Sequence, residues 1–483
     1  MKKKSLLTVL LGIIFSVSLF SQANNYNSNI WYFGKYAGIT FNTGHPVAIY
    51  GGQTNTIEGV ATICDLNGNL LFYTEGTTIW NRFHQVMPNG SGLLGHYSAA
   101  QSSIIVPDLN NNNKFYVFTV DAVENHLQNG LRYSVVDMTL DNGKGDVVSG
   151  QKNILLHAPV AEKVTAVLDG SENGYWILTH EWNTDAYLAY HLTASGLNTT
   201  PVISHSGIVH SGGAYPSYAW HDGWMNAVGG MKANMQGNKL AVVRMRAPLE
   251  LCDFNRYSGV VSNCIEAPVT FDQSAHAEFS PNQTKLYLST VSSALGTTNY
   301  IYQFDLSQSN SFNNVQVLTH LTDGCEPSAI QVGPDGNVYV SEYNPNTDVP
   351  YLSKIENPDM VVPYATYVRN AVPLTSDASA KRGLPNLYYY KGFHFITGIN
   401  ENNNSGQHIV FTNPENNNCL YLKNPYPEKI NLFITDITGK FILNTELYAF
   451  EEKQVNLPVE LNGIYLVKSI HNNTTSVQKI AVY

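Results

Sequence analysis

Hydrophobic and polar positions alternate along most of the chain in short bursts of four to eight residues, broken by clusters of Asp, Asn and Gly. Period-two alternation bounded by turn residues predicts strands, and two such runs around a polar turn predict a hairpin. Six segments repeat that unit: Ala61-TICDLNGNLLFYTEG, Ser103-IIVPDLNNNNKFYVFTVD, Thr165-AVLDGSENGYWILTHEW, Gly230-MKANMQGNKLAVVRMR, Ala277-EFSPNQTKLYLSTV and Ser328-AIQVGPDGNVYVSEYN. Their second strands start near Phe72, Tyr116, Trp176, Ala241, Tyr287 and Tyr339. The period is therefore roughly 45–65 residues, the length of a four-stranded propeller blade with variable loops. Further strand-like pairs follow the hairpins, as in Asn299-YIYQFDL with Val315-QVLTHL and Leu249-ELCDF with Gly259-VVSN.

A seventh blade is assembled from both ends of this region. Gly383-LPNLYYYK supplies an inner strand, and Ile30-WYFG, Ala37-GITFN and Pro46-VAIYG supply three strands lacking an inner partner. Joining them removes the open edges that an unclosed array exposes. The predicted architecture is all-β: a seven-bladed propeller over residues 25–395, then a small β-sandwich. Rings of six or eight blades and a stacked sandwich are the alternatives.

Composition adds an address. Lys2, Lys3 and Lys4 precede an apolar run from Ser5 to Phe20 and the small-residue stretch Ser21-Gln22-Ala23. This pattern predicts a cleaved signal peptide over residues 1–23. The run is about 16 residues against the roughly 20 that span a bilayer, and no later segment is long enough. No cysteine stands at the cleavage point, which excludes lipid attachment there. The net charge of −10 becomes −13 once the three leader lysines are gone. No basic run follows, so nucleic acid is not an expected partner. Of five cysteines, Cys252 and Cys264 flank a predicted hairpin turn, Asn255-Arg-Tyr-Ser-Gly259, and are the disulfide candidate. No Cys-x-x-Cys pair argues for a metal.

Polar low-complexity stretches at Asn400-ENNNSG and Pro414-ENNN mark residues 396–418 as a linker. Beyond it, residues 419–483 carry alternating runs at Ile430-NLFITDI, Lys440-FILNTEL, Lys453-QVNLPV, Gly463-IYLVKSI and Ser476-VQKIAVY. Asn424-PYPEKINLFITDITGKFIL, Leu461-NGIYLVKSI and Val477-QKIAVY resemble the type A carboxy-terminal sorting domain of the type IX secretion system of Bacteroidota. The residues that carry the resemblance are Pro425, Pro427, Asp436, Gly439, Lys440, Gly463, Tyr465 and Lys479. Asn424-Pro-Tyr-Pro stands where the family usually has Pro-Asn-Pro. The resemblance implies export across the outer membrane, contact with the type IX machinery, and a secreted or surface-attached product. The propeller opening is similar to that of large secreted Bacteroidota propellers found beside gliding-motility-type carboxy-terminal domains. That similarity runs through Asn29-IWYFGKYAGITFNTGHPVA, Glu58-GVATICDLNGNLLFYTEGTTIWN, His84-QVMPNGSGLLG, Gln101-SSIIVP, Glu162-KVTAV and Arg382-GLPN. It implies fold and location and says little about chemistry.

Propeller ligands generally sit over the central channel, beside residues at the start of each inner strand. In this chain that ring comprises Glu58, Gln101, Glu162, Lys163, Asn226, His276, Glu278, Glu326, Lys381 and Arg382. Glu58, Glu162 and Glu278 are the candidate acid and base residues of a polysaccharide hydrolase or lyase, if two of them stand at a glycosidase spacing. The alternative is that these groups satisfy one another at the channel mouth. A second candidate contact region is the insertion Ala214-YPSYAWHDGWMN, where Tyr218, Trp220 and Trp224 offer flat faces to a sugar or protein, or pack between blades. Asp65-LNGN, Asp108-LNNNN and Asp141-NGKGD resemble the start of calcium loops, though none supplies the full ligand pattern. No cofactor is otherwise expected. Gly-x-Ser-x-Gly, His-Glu-x-x-His and phosphate-loop motifs are absent. The leading expectation is a non-catalytic binding or adhesion module for a glycan or extracellular protein, and the competing one is an enzyme.

Overall fold

The computed structural model describes residues 28–213, 223–268, 271, 273–291, 298–307, 312, 315–388, 410–412, 419–424, 428–436, 440–456, 463–471 and 474–482. The leader, Tyr218, Trp220, Pro425, Pro427 and Gly439 lie outside the described residues.

Each repeat folds as an antiparallel sheet that begins with its hairpin. The first is Ala61–Cys64, Leu70–Thr74, Thr78–Asn81 and Val86–Ser91. The next two start at Ser103–Pro107 and Thr165–Leu168, and each has two short strands sharing its outer edge. Four-stranded sheets then start at Met231–Ala233, Ser274–Phe279 and Glu326–Val332. The polar turns close these hairpins for a local reason. In the first, Asp65 Oδ1 accepts the backbone N–H groups of Asn67 and Asn69, so the side chain shapes the reversal. Asp169, Asn234 and Asp335 do the same at equivalent places.

Strands near the axis lack the alternation of a half-solvated sheet. All residues of Ala61–Cys64, Gly174–His180 and Glu326–Val332 are buried, because both faces of each sheet pack against a neighbour. The cores lie between consecutive sheets. Ile63, Phe72, Ile105 and Val117 join the first two, Ile104, Phe118, Ile177 and Tyr190 the next, and Trp176, Leu178, Met231 and Phe254 the third pair. The series continues through Phe279 with Ala241, Tyr287 with Ile330, and Tyr339 with Trp31. Tyr32 and Tyr73, stacked at 4.7 Å, close it by joining the seventh sheet to the first. Seven sheets with seven intervening cores form a closed propeller ring.

The seventh sheet differs from expectation. It has three strands, Ile30–Phe33, Ala37–Thr40 and Val47–Ala48, and residues 383–388 do not extend its ladder. That stretch instead makes a single parallel bridge, Pro385 to Val60. Pro385 has no N–H to give a ladder. Gly383 approaches the first sheet so closely that a Cβ there would stand 1.7 Å from the Glu58 carbonyl oxygen.

The carboxy-terminal unit has two sheets. One contains Val410–Thr412, Cys419–Lys423 and Glu452–Asn456; the other runs Phe441–Leu447, Ile430–Asp436, Gly463–His471 and Thr474–Val482. Leu422, Ile430, Leu432, Ile434, Leu447, Tyr465 and Val467 form its core. The strand Val410–Thr412 lies within the stretch read as linker, since an apolar run between Asn-rich segments found a partner in Cys419–Lys423. Asp436 and Lys440 close a turn through two bonds of 2.9 Å, and Lys479 pairs with Leu466.

Candidate functional site

The residues preceding each inner strand gather at one end of the ring. Glu58 leads into the first hairpin, Gln101 into the second, Glu162 and Lys163 into the third, and His276 and Glu326 lie on the inner strands of the fifth and sixth sheets. Arg382 arrives from the closing segment, where its N–H donates to Ile57 O at 2.7 Å and its carbonyl accepts from Ala329 N at 3.1 Å.

From Arg382 the chain crosses the axis. Asn386 donates its backbone N–H to Val60 O at 2.8 Å and its side-chain Nδ2 to Ser103 O at 3.2 Å and Val164 O at 2.8 Å. Gln101 bridges further, with Oε1 accepting from Met231 N and Nε2 donating to Met231 O. Lys232 Nζ donates to Leu387 O and to Gln331, and pairs with Glu278 at 3.1 Å. Tyr388 then packs edge-on against Tyr175. Beside these residues lie two small cavities, of about 30 and 20 Å³, with His276 lining both. Each is on the scale of a single water.

The candidate carboxylates have separate surroundings. Glu162 is buried, and its oxygens accept from Ala100 N at 3.0 Å and Val123 N at 2.7 Å. Burial, with Glu124 and Glu58 nearby, holds its carboxyl well above the usual range. Glu278 faces Lys232 and accepts from Phe279 N and Val332 N, so it stands in a different polar group. Glu58 is pushed up to about 8, chiefly by burial, with Arg382 opposing the shift and Glu124 and Glu326 adding to it. Arg382 joins two of the candidates: it holds Glu326 at 2.8 Å and comes within 4.0 Å of Glu58. Its guanidinium also lies 4.6 Å over the Tyr343 ring. Burial lowers Lys163 to about 7, and its Nζ donates to Ala227 O at 2.8 Å. Burial lowers His276 to about 4, aided by Lys232.

Lys381 turns aside to pair with Asp348 at 3.1 Å. Asn226 accepts from Arg246 N and donates to Ser211 O. Trp224 is half-buried, its ring 5.7 Å from both Trp182 and His126. Cys252 and Cys264 are bonded, whereas Cys64 and Cys325 are free and buried. The Asp65 oxygens are occupied by turn amides, and Asp141 pairs with Lys144 at 3.2 Å. Among the described residues no cluster of three His, Cys, Asp or Glu side chains is arranged to hold a metal, and no helix is long and apolar enough to cross a membrane.

Sequence reasoning missed Glu124, Lys232, Tyr343 and Asn386. The blade period marks inner-strand starts, but Glu124 and Tyr343 precede the third strands of their blades, and Lys232 sits one residue into a strand. For Glu124 and Tyr343 the place at or just past the end of a hairpin's second strand was the available signal, whereas nothing in the repeat marks Lys232, inside a first strand, or Asn386, in the closing segment.

Residues 409–483 match the family described as the secretion system C-terminal sorting domain. This is the Por secretion tail of the type IX system, and it places the protein in the secreted or outer-surface class, with the machinery of that system as a partner. No curated protein matches the chain. Among solved structures, the Dos1 propeller is 9% identical, covering 83% of this chain and 90% of its own at a TM-score of 0.40. The Cps50 (Swd1) β-propeller domain of Myceliophteria thermophila is 11% identical, covering 65% and 93% at 0.36. Kluyveromyces lactis Hsv2 is 11% identical, covering 71% and 94% at 0.37. The ring described above rests on this chain's own strand pairing and inter-sheet cores.

Proposed function

We propose that this exported propeller is a non-catalytic binding module, which meets a protein or glycan partner through the rim at the Glu58–Arg382 end. The observation that carries this reading is the filled axis. Asn386, Gln101 and Lys232 tie the inner strands together across it, and the two cavities beside them, of about 30 and 20 Å³, admit no sugar ring. Recognition then falls to the rim, where Tyr97 is 48% exposed and Tyr343 and Trp224 are half-buried. Aromatic faces beside polar groups suit both sugar stacking and protein contact. The type A character of the sorting domain, the kinship with large gliding-associated propellers and an adhesive role belong to the same proposal as finer, separate points.

A second reading keeps one specific support. Glu58, protonated near neutral pH and beside Glu326 on a shared arginine, has the character of a general acid. A glycan array with mass-spectrometric product analysis on each hit separates the two. Binding without turnover, weakened about tenfold or more in a Tyr97→Ala, Trp224→Ala double variant, is the expected result. Turnover that disappears in Glu58→Gln replaces the binding reading with the enzymatic one.

A further inference from the structure

Three polar side chains from three different sheets meet at the axis. Lys232 lies on Met231–Ala233, Glu278 on Ser274–Phe279 and Gln331 on Glu326–Val332, the first strands of the fourth, fifth and sixth sheets. All three are buried. Lys232 Nζ donates to Gln331 Oε1 at 2.8 Å and pairs with Glu278 Oε2 at 3.1 Å. That same Glu278 oxygen accepts from Val332 N at 3.3 Å, so the carboxylate spans the lysine and the backbone beside Gln331. A carbonyl bond is about 1.23 Å long, which puts Gln331 Cδ no more than about 4.0 Å from Nζ. Attack needs a separation of roughly 3–3.5 Å, a difference that a side-chain rotation covers.

The arrangement holds the parts of an amide exchange. Lys232 is the amine, Gln331 the acyl donor, and Glu278 an acid–base group that touches the nucleophile. Burial disfavours both charges of the Lys232–Glu278 pair, and passing one proton between partners 3.1 Å apart removes both. Glu278 is suited to receive it, because burial holds its carboxyl above the usual range against the opposing effect of Lys232. The leaving group also has a place to go. The cavity of about 30 Å³ is lined by Lys232, Gln331, Gln101, His276 and Asn386, and it is polar and of the size of one water or one ammonia. Because amine and amide are mounted on neighbouring packed strands, their encounter costs little further entropy.

We propose that Lys232 and Gln331 join in an intramolecular isopeptide bond, made by the folded chain itself with Glu278 as the catalytic residue. Glu278 first takes a proton from the ammonium. The Nζ lone pair then forms the new bond to Cδ while the C=O π pair moves onto Oε1. That pair re-forms the carbonyl as the Cδ–Nε2 bond breaks. Nε2 leaves as ammonia, with its own two hydrogens and the proton carried by Glu278, which takes a second proton from Nζ. One ammonium and one primary amide thus become one secondary amide and one ammonia, with no oxidant or co-substrate. The link staples the fourth sheet to the sixth across 99 residues of sequence, independently of what the rim binds.

The test is peptide mapping by tandem mass spectrometry of the full exported chain, purified and held folded for a day. A branched peptide containing both Lys232 and Gln331 is expected, about 17 Da lighter than the sum of its linear parts. Lys232→Arg keeps a cation beside Glu278 but has no primary amine. It is expected to give two separate peptides and to melt about 5 °C below the parent, because the staple no longer restricts the unfolded chain. Glu278→Gln is expected to cut the linked fraction at least about tenfold. Unmodified Lys232 and Gln331 in separate peptides of the parent overturn the bond, whether or not the variants fold. The same ammonia loss in Lys232→Arg places it at another residue and also overturns the bond. Full linkage in Glu278→Gln overturns the catalytic role of Glu278.

Discussion

At the scale of single residues, Glu58 ties the candidate site to the stability of the ring. Its carboxyl titrates near 8 in the folded chain against 4.5 for an ordinary glutamate, mainly because it is buried. Between those values the folded state keeps a proton that the unfolded state releases. The stabilising contribution is therefore complete below about pH 4.5 and is lost as pH rises through 8. Glu58→Gln keeps the shape and removes the titration. Urea unfolding is expected to show parent and variant nearly equal at pH 4.5, with the variant ahead by on the order of 3 kcal/mol at pH 9. Parallel stability curves across that range would show that Glu58 is not buried as described. The position of Glu58 was legible from the blade period, as were those of Gln101, Glu162 and Glu326. Their partners were not, because Glu162 binds Val123 N, 39 residues away, and Arg382 meets Glu326 across 56.

At the scale of elements, the closing segment does work that a ladder does elsewhere. Asn386 satisfies carbonyls of two inner strands at once, Ser103 O and Val164 O, and accepts from Gln101 at 3.4 Å. Asn386→Ala removes those donors and leaves both carbonyls buried without them. A loss of roughly 2–4 kcal/mol in urea unfolding is expected, against a negligible change for an exposed turn residue such as Asn67. The six hairpins were readable because alternation and Asp- or Asn-led turns are local features. The seventh inner position was misread for the same reason: Leu384, Leu387 and the tyrosines after it have the composition of a strand. Only the lattice of partners around Pro385 and Asn386 shows that the chain crosses the axis there. The strand Val410–Thr412 was overlooked because three residues between Asn-rich stretches carry too little pattern to stand out.

At the scale of the whole molecule, ring closure and export address belong to different parts of the chain. Trp31, Phe33 and Phe41 come from the first described strands and pack with Tyr339, Leu352 and Leu384 from the last blade and closing segment. Asp348 fastens the same seam by pairing with Lys35 at 2.8 Å and Lys381 at 3.1 Å. Each of the three large aromatics contributes about 1.5–3 kcal/mol by burial, so the seam carries a substantial share of a stability that is small for any protein. Deleting residues 28–48 is therefore expected to abolish cooperative melting, because it exposes the core faces of both neighbouring blades. Deleting residues 410–483 removes a unit with its own core of Leu422, Ile430, Leu432 and Tyr465, and none of the seam. That variant is expected to melt within about 2 °C of the parent ring, a shift worth no more than about 1.5 kcal/mol for a domain of this size, while failing to reach the outer surface on cell fractionation. Normal surface delivery without those residues would take the sorting role away from this unit. A collapse of the ring on their removal would instead make the sandwich part of the propeller's fold.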